Sequence, residues 1–215
     1  MFTDNAFVTA SADESYGLFD YYVSKEYGYA MVTGYRGTAE NVTIPDKLGG
    51  YAVQFIGEKA FYKNENIVTV KIPSTVTTIK YGTFAYCKNL KKLDNLKNCS
   101  RLCFIEGSAF YECGNLQMKK SDFPSSLYKI DSFAFYNCQK LEGIDLSNAQ
   151  TIQGSAFDGC ESLSSIEAPK TTDYGASVFK DCKNLQNITL SKDIKTLTNR
   201  MFQGCSMLKF LSRIQ

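Results

Sequence analysis

The pattern Ile-x-x-x-Ala-Phe-x-x-Cys-x-x-Leu, cleanest at Ile105–Leu116, returns along most of this chain. Its phenylalanines fall at Phe61, Phe84, Phe110, Phe135, Phe157, Phe179 and Phe202, with gaps of 23, 26, 25, 22, 22 and 23 residues. Six positions after each comes an aliphatic: Ile67, Leu90, Leu116, Leu141, Leu163, Leu185 and Leu208. Three positions after it stands cysteine in six of seven copies, at Cys87, Cys113, Cys138, Cys160, Cys182 and Cys205; the first copy has Asn64. Five before it stand Ile56, Ile79, Ile105, Ile130 and Ile152, then Tyr174 and Leu197. Nine after it stand Val70, Leu93, Ile144, Ile166, Ile188 and Leu211, with Lys119 as the exception.

A unit of about 23 residues cannot bury its own apolar face, so each copy must cover the next. Runs such as Leu141-Glu-Gly-Ile-Asp-Leu146 and Leu185-Gln-Asn-Ile-Thr-Leu190 alternate at period two and read as short strands, adjacent copies pairing in parallel about 4.8 Å apart. The Ala-Phe-x-x-Cys segment places Ala156 and Cys160 four apart, on one face of a helical turn. The phenylalanines then fill the interior between layers.

These runs, with the intervening Ile72-Pro-Ser-Thr-Val-Thr-Thr-Ile79, resemble the BspA-like leucine-rich-repeat family over about residues 42–211. The resemblance implies an α/β fold: a right-handed solenoid with parallel short strands on the concave face and short helical turns opposite. It also implies a secreted or surface-displayed protein of adhesion type, its leader absent from this sequence. The expected organisation is a flexible leader over 1–17, a capping hairpin and incomplete repeat over 18–55, and seven repeat units over 56–215, all in one domain. The hairpin reading rests on the alternation of Phe19, Tyr21 and Val23, then Tyr29 and Met31, about a turn near Lys25–Gly28. Val42-Thr-Ile-Pro45 reads as the incomplete repeat, and the third and fourth units carry extra residues near Asn95–Arg101 and Lys119–Pro124.

The chain has no histidine, which removes the commonest general base and metal ligand. There is no P-loop motif, and no second ligand pair accompanies Cys99 and Cys103. The reading is therefore non-enzymatic, with no cofactor or metal. A balance of 24 basic against 22 acidic residues disfavours nucleic acid, and no apolar run is long enough to span a membrane. The repeat cysteines read as buried free thiols that all point one way; Cys99 and Cys103 remain open to bridging.

What remains is the surface. Residues alternating with the inward aliphatics form a candidate concave binding row: Thr69, Lys71, Lys92, Asp94, Glu142, Asp145, Ser165, Glu167, Asn187 and Thr189, basic early and acidic later. A rival face carries Tyr62, Tyr111 and Tyr136 after the repeat phenylalanines, with Tyr81, Tyr86 and Tyr128 nearby. The expected function is binding of a host, matrix or other surface protein. The alternatives are a structural spacer displaying neighbouring domains, or a carbohydrate-binding protein.

Overall fold

The computed structural model of the chain describes residues 14–213, with side chains from 17 to 209. It is a solenoid of parallel strands, mostly two to four residues long and stacked as the repeat requires, with almost no helix. Each turn offers up to two strands. The first ladder joins Tyr51–Ile56, Thr78–Ile79, Phe104–Ile105, Lys129–Ile130, Thr151–Ile152 and Asp173–Tyr174, all parallel. Its register sets Ile56, Ile79, Ile105, Ile130, Ile152 and Tyr174 side by side. These are the positions five residues before each phenylalanine, and all of them are buried.

The second ladder comes in two pieces: Asn41–Thr43, Thr69–Lys71 and Lys92–Asp94, then Ser165–Ala168, Asn187–Leu190 and Phe210–Arg213. The break has a local cause. In the intervening unit the buried side chain is Met118, one residue earlier than the repeat demands, and Lys119 is exposed. Both Glu142 and Gly143 then send their N–H to the Met118 carbonyl, at 2.9 and 3.2 Å, and no strand forms there. The extra residues of the third and fourth units form two adjacent 3-10 turns, Leu96–Asn98 and Lys120–Asp122. Leu96, Cys99 and Phe123 from these insertions reach the core.

The seven phenylalanine rings form one column. Successive centroids are 5.0, 5.4, 5.0, 5.4, 5.6 and 5.9 Å apart, and from Phe84 onward no interplanar angle exceeds 11°. The expected helical turn takes a specific form here. Ala-Phe-x-x-Cys is a run of i→i+3 bonded turns, with Cys113 N–H on Phe110 O at 3.1 Å. It is kept from continuing as α-helix by residues of positive φ two before and two after each ring, such as Ser108 (55°) and Glu112 (60°). Alternate N–H groups point to the next turn, so that Phe84 donates to Ala109 O at 2.8 Å and Tyr86 to Tyr111 O at 2.7 Å. Gly159 is one such position (φ 77°), and a Cβ there would also collide with the Asn137 amide.

The cysteine position has a hydrogen-bonding role as well as a packing one. Cys87, Cys113, Cys138, Cys160, Cys182 and Cys205 each direct the thiol at the carbonyl of the preceding turn's phenylalanine, at 2.9 to 3.1 Å. The Phe110 carbonyl thus accepts twice, from Cys113 N–H of its own turn and Cys138 S–H of the next. In the first unit Asn64 instead accepts the N–H groups of Asn66 and Ile67, at 3.0 and 3.2 Å. All eight cysteines are free, including Cys99, whose thiol reaches Pro73 O at 3.3 Å, and Cys103.

Phe19–Ser24 and Tyr29–Tyr35 pair antiparallel, and the second of them lies parallel on Tyr51–Ile56. Tyr35 takes the place of a phenylalanine for the layer before Phe61. Its ring is 5.4 Å from Phe61, and its N–H donates to Ala60 O as each repeat Phe does to the next turn. Residues 1–13 of the expected leader lie outside the described residues, while Glu14–Tyr16 forms a strand on Phe19–Ser24. Leu197 departs from its expected role: it is 45% exposed, and no strand forms in that unit where the other units have one.

Because each ring is held by two neighbours, truncation in mid-column should be costly. Phe135→Ala should lose about 3–5 kcal/mol of unfolding free energy in urea denaturation, and half-buried Phe202→Ala clearly less.

Candidate protein-interaction surface

Two surfaces compete for the role of site. On the second ladder the register places Thr69 beside Lys92 and Lys71 beside Asp94, then Ser165 beside Asn187 and Glu167 beside Thr189. Glu142 and Asp145 lie between the two pieces, on the stretch without strand. The structure therefore gathers the expected row into two groups of four with a gap. Part of its charge is satisfied internally, and Lys71 and Glu142 have no ion pair among the described residues. Lys92 Nζ is 3.0 Å from Asp94, and Lys120 Nζ is 2.5 Å from Glu167. The bonded carboxylate is the main reason each ammonium titrates above its ordinary range. Asp145 accepts Ser147 N–H at 3.0 Å, and Thr69 donates to the Asn41 side chain. Lys120, which the sequence reading did not pick out, comes from the insertion and reaches two units along the solenoid.

The turn face presents aromatic rings. The residue after each of three repeat phenylalanines is tyrosine, and Tyr86 joins from the second position after Phe84. The repeat phenylalanines are buried, whereas Tyr62 is exposed and Tyr86, Tyr111 and Tyr136 are half-buried at the surface. The row runs Tyr62, Tyr86, Tyr111, Tyr136, with centroids 5.8, 5.3 and 4.8 Å apart. Phe133 packs on its far end, 5.8 Å from Tyr136, and is 43% exposed. Sequence reasoning missed Phe133: it occupies a positive-φ position (60°), where an outward apolar ring is not expected. Lys63 Nζ lies over the Tyr62 and Tyr86 rings, 5.2 and 5.7 Å from their centroids, and Lys59 Nζ lies 5.8 Å from that of Tyr81. Tyr62, Tyr81, Tyr86 and Tyr111 line a groove of about 370 Å³ floored by Gly82 and Ala85. Tyr128 stands apart from the row, paired with Phe104 at 6.3 Å.

Among the described residues no group of three histidine, cysteine or carboxylate side chains could hold a metal ion. No helix among them is long and apolar enough to cross a membrane. Burial pushes the thiols up, Cys87 to about 12 and Cys99 and Cys205 to about 11. Cys113, Cys138, Cys160 and Cys182 are pushed higher still. These thiols are protonated packing groups, not nucleophiles.

A family profile described as "BspA type Leucine rich repeat region" matches the chain in six copies, over residues 35–142 and 104–213. The chain belongs to the BspA-type leucine-rich-repeat family. The match begins at Tyr35, the residue that stands in for the ring preceding Phe61. Among solved structures, a Treponema pallidum leucine-rich-repeat protein, TpLRR, is similar at TM-score 0.62 and 25% identity, the match covering 91% of this chain and 78% of that one. A leucine-rich-repeat protein of Bacteroides ovatus is similar at TM-score 0.64 and 27% identity, covering 92% and 46%. The pneumococcal vaccine antigen PcpA shares the fold at TM-score 0.60 and 16% identity, covering 87% and 52%. No curated protein matches the chain. The BspA-type family and its solenoid are those of a protein-interaction module, and such repeat proteins are generally non-enzymatic.

The buried thiols give a pH dependence with a definite sign. Their folded pKa values lie above the unfolded value of about 9.0, so their stabilisation is complete below pH 9. Above it the unfolded state releases protons that the folded state keeps, and stability falls by about 1.4 kcal/mol per pH unit per thiol. Urea midpoints measured between about pH 8 and 10.5 should fall steeply, and Cys138→Ala should flatten the slope by one proton.

Proposed function

We propose that this BspA-type solenoid is a non-enzymatic binding module of adhesion type, secreted or displayed at a cell surface, which holds a host, matrix or other surface protein. The observation that carries this reading is the aromatic row. Tyrosine is a frequent anchor of protein interfaces because a rigid ring contributes large contact area at small entropic cost. Here such rings stand outside the core on four consecutive turns, held at the layer spacing by the column beneath them.

The ladder face supports binding less well. Three of its charges are already neutralised, through Lys92–Asp94 and Lys120–Glu167, while Lys71 and Glu142 have no ion pair among the described residues. Both pairs are about half exposed, so a partner that displaces them exchanges one weak contact for another. A carbohydrate partner fits the row poorly. Sugars stack on open ring faces, whereas Tyr111 and Tyr136 lie 9° from parallel and cover each other's faces. The spacer reading makes a different demand: it requires the outward rings to be dispensable.

Binding to immobilised matrix proteins and to intact host cells separates these readings. The double variant Tyr111→Ser with Tyr136→Ser should bind at least about tenfold more weakly with a nearly unchanged melting temperature. The quadruple variant Lys92→Ala, Asp94→Ala, Asp145→Ala and Glu167→Ala should bind as the parent does. The opposite ranking moves the interface to the ladder face, and no binding by the parent to any surface supports the spacer.

A further inference from the structure

The groove beside the aromatic row is built to receive negative charge. Its rings spend their faces on one another and on lysines: Tyr62 meets Tyr86 at 87°, and Lys63 lies over both. What they leave for a ligand is ring rims, which carry the positive end of the aromatic quadrupole, and phenol hydroxyls. Among the described residues the hydroxyls of Tyr62, Tyr81, Tyr86 and Tyr111 find no acceptor within the protein, and none is a buried orphan. Burial and the neighbouring phenols Tyr86 and Tyr136, with Glu112, hold Tyr111 above its ordinary pKa. Lys59 belongs to the lining, and Lys63 stands next to it over the Tyr62 and Tyr86 rings. Lys63 has no carboxylate partner among the described residues. Lys59 has Glu58 at 3.7 Å, with both side chains more than half exposed, a contact that an incoming carboxylate can displace. Two other acids stand nearby and both are engaged: Glu112 accepts from the Asn137 amide at 2.9 Å, and Glu106 accepts the Tyr81 N–H at 2.9 Å and pairs with Lys80 at 3.5 Å.

We infer that this groove, lined by Lys59, Tyr62, Tyr81, Tyr86 and Tyr111, with Lys63 over its Tyr62 and Tyr86 rings, binds an acidic peptide segment of the protein partner. The inference rests on the binding-module reading above and names the chemistry of what is bound. Length agrees with it. The groove crosses the turns of Phe61, Phe84 and Phe110, whose rings are 5.0 and 5.4 Å apart, so it spans about three residues of extended chain at about 3.3 Å each. The phenols donate to carboxylate oxygens, the ammonium groups supply the charge, and exposed Phe133 beyond Tyr111 offers a contact for an apolar side chain that follows the acidic run. Charge from outside the solenoid therefore enters on the turn face, opposite in sign to the lysines and not competing with a built-in bridge at Lys63.

The test uses the intact chain and a fluorescent peptide carrying three consecutive Asp or Glu residues before a leucine, read by polarisation. Its Asn/Gln analogue and a sulfated oligosaccharide are the comparison probes. The acidic peptide should bind at least about tenfold more tightly than the analogue, and more weakly as salt rises from about 50 to 300 mM. Lys59→Gln with Lys63→Gln should cut that affinity about tenfold with melting unchanged, since both lysines are exposed and glutamine meets the same positive φ. Equal binding of the analogue, indifference to the double variant, or binding of the sulfated oligosaccharide alone would overturn the inference. If matrix binding is lost in Tyr111→Ser with Tyr136→Ser but kept in Lys59→Gln with Lys63→Gln, the binding module stands and the acidic-segment inference falls. If neither variant changes binding to matrix or cells, the module reading itself fails.

Discussion

Each turn of this protein can satisfy its interior only through its neighbours. The repeat phenylalanine shows why. In mid-column its ring is closed above and below by the next rings, at 5.0 to 5.9 Å. Its carbonyl has two acceptor sites, and the structure fills one from its own turn and the other with a thiol from the next. The backbone between these groups follows the same rule, alternate N–H groups bonding inward to the turn and onward to the adjacent layer. Ring spacing, thiol position and backbone pairing therefore enforce one layer height, and a residue that meets one of them is forced to meet the others. Asparagines outside the column repeat the device: Asn89 reaches Glu65 O at 2.7 Å and Asn115 reaches Lys88 O at 2.8 Å, one layer back in each case.

How much of this was legible in the chain depended on whether a position declares itself by chemistry or by geometry. The column and the inward aliphatics are apolar at fixed spacing, and burial follows from that alone. The paired positive-φ positions are invisible, because they hold lysine, tyrosine, serine, glutamate and aspartate as readily as glycine. Their conformation is imposed by the onward hydrogen bonds of the stack. For the same reason a helical turn was the natural reading of Ala-Phe-x-x-Cys, although no α-helix forms. Met118 and Tyr35 were missed for a different cause. One slips the pattern by a residue, and the other replaces phenylalanine with tyrosine where a hairpin strand takes the place of a repeat. Leu197 keeps the pattern yet is exposed, since the unit around it forms no strand. Apolar identity alone does not bury a side chain when the adjoining backbone is not held.

The surfaces were legible by residue type and not by partnership. Alternation placed Lys92, Asp94, Glu142, Asp145 and Glu167 on a polar face. It could not show that Lys120 arrives from an insertion two units away to neutralise Glu167. An insertion is where the repeat ceases to constrain the chain, so contacts made from it carry no periodic signature. The tyrosines are the reverse case. Three of them sit directly after a repeat phenylalanine, on the side away from the small buried residue that precedes it, such as Ala109 before Phe110, so the repeat spacing itself lines them up.

That geometric dependence gives the aromatic row its suitability for recognition. A free surface tyrosine loses rotamer freedom when it is engaged, and this cost is subtracted from affinity. Here Tyr111 is already wedged between Tyr86 and Tyr136, and Lys63 already leans over two rings. The ordering has been accomplished by folding, one layer at a time, through the same stack that hides the phenylalanines. The ladder face is ordered in part too, by half-exposed ion pairs that a ligand would exchange for its own. Of the two surfaces, the one whose donors have no acceptor within the protein is the one that gains from a partner.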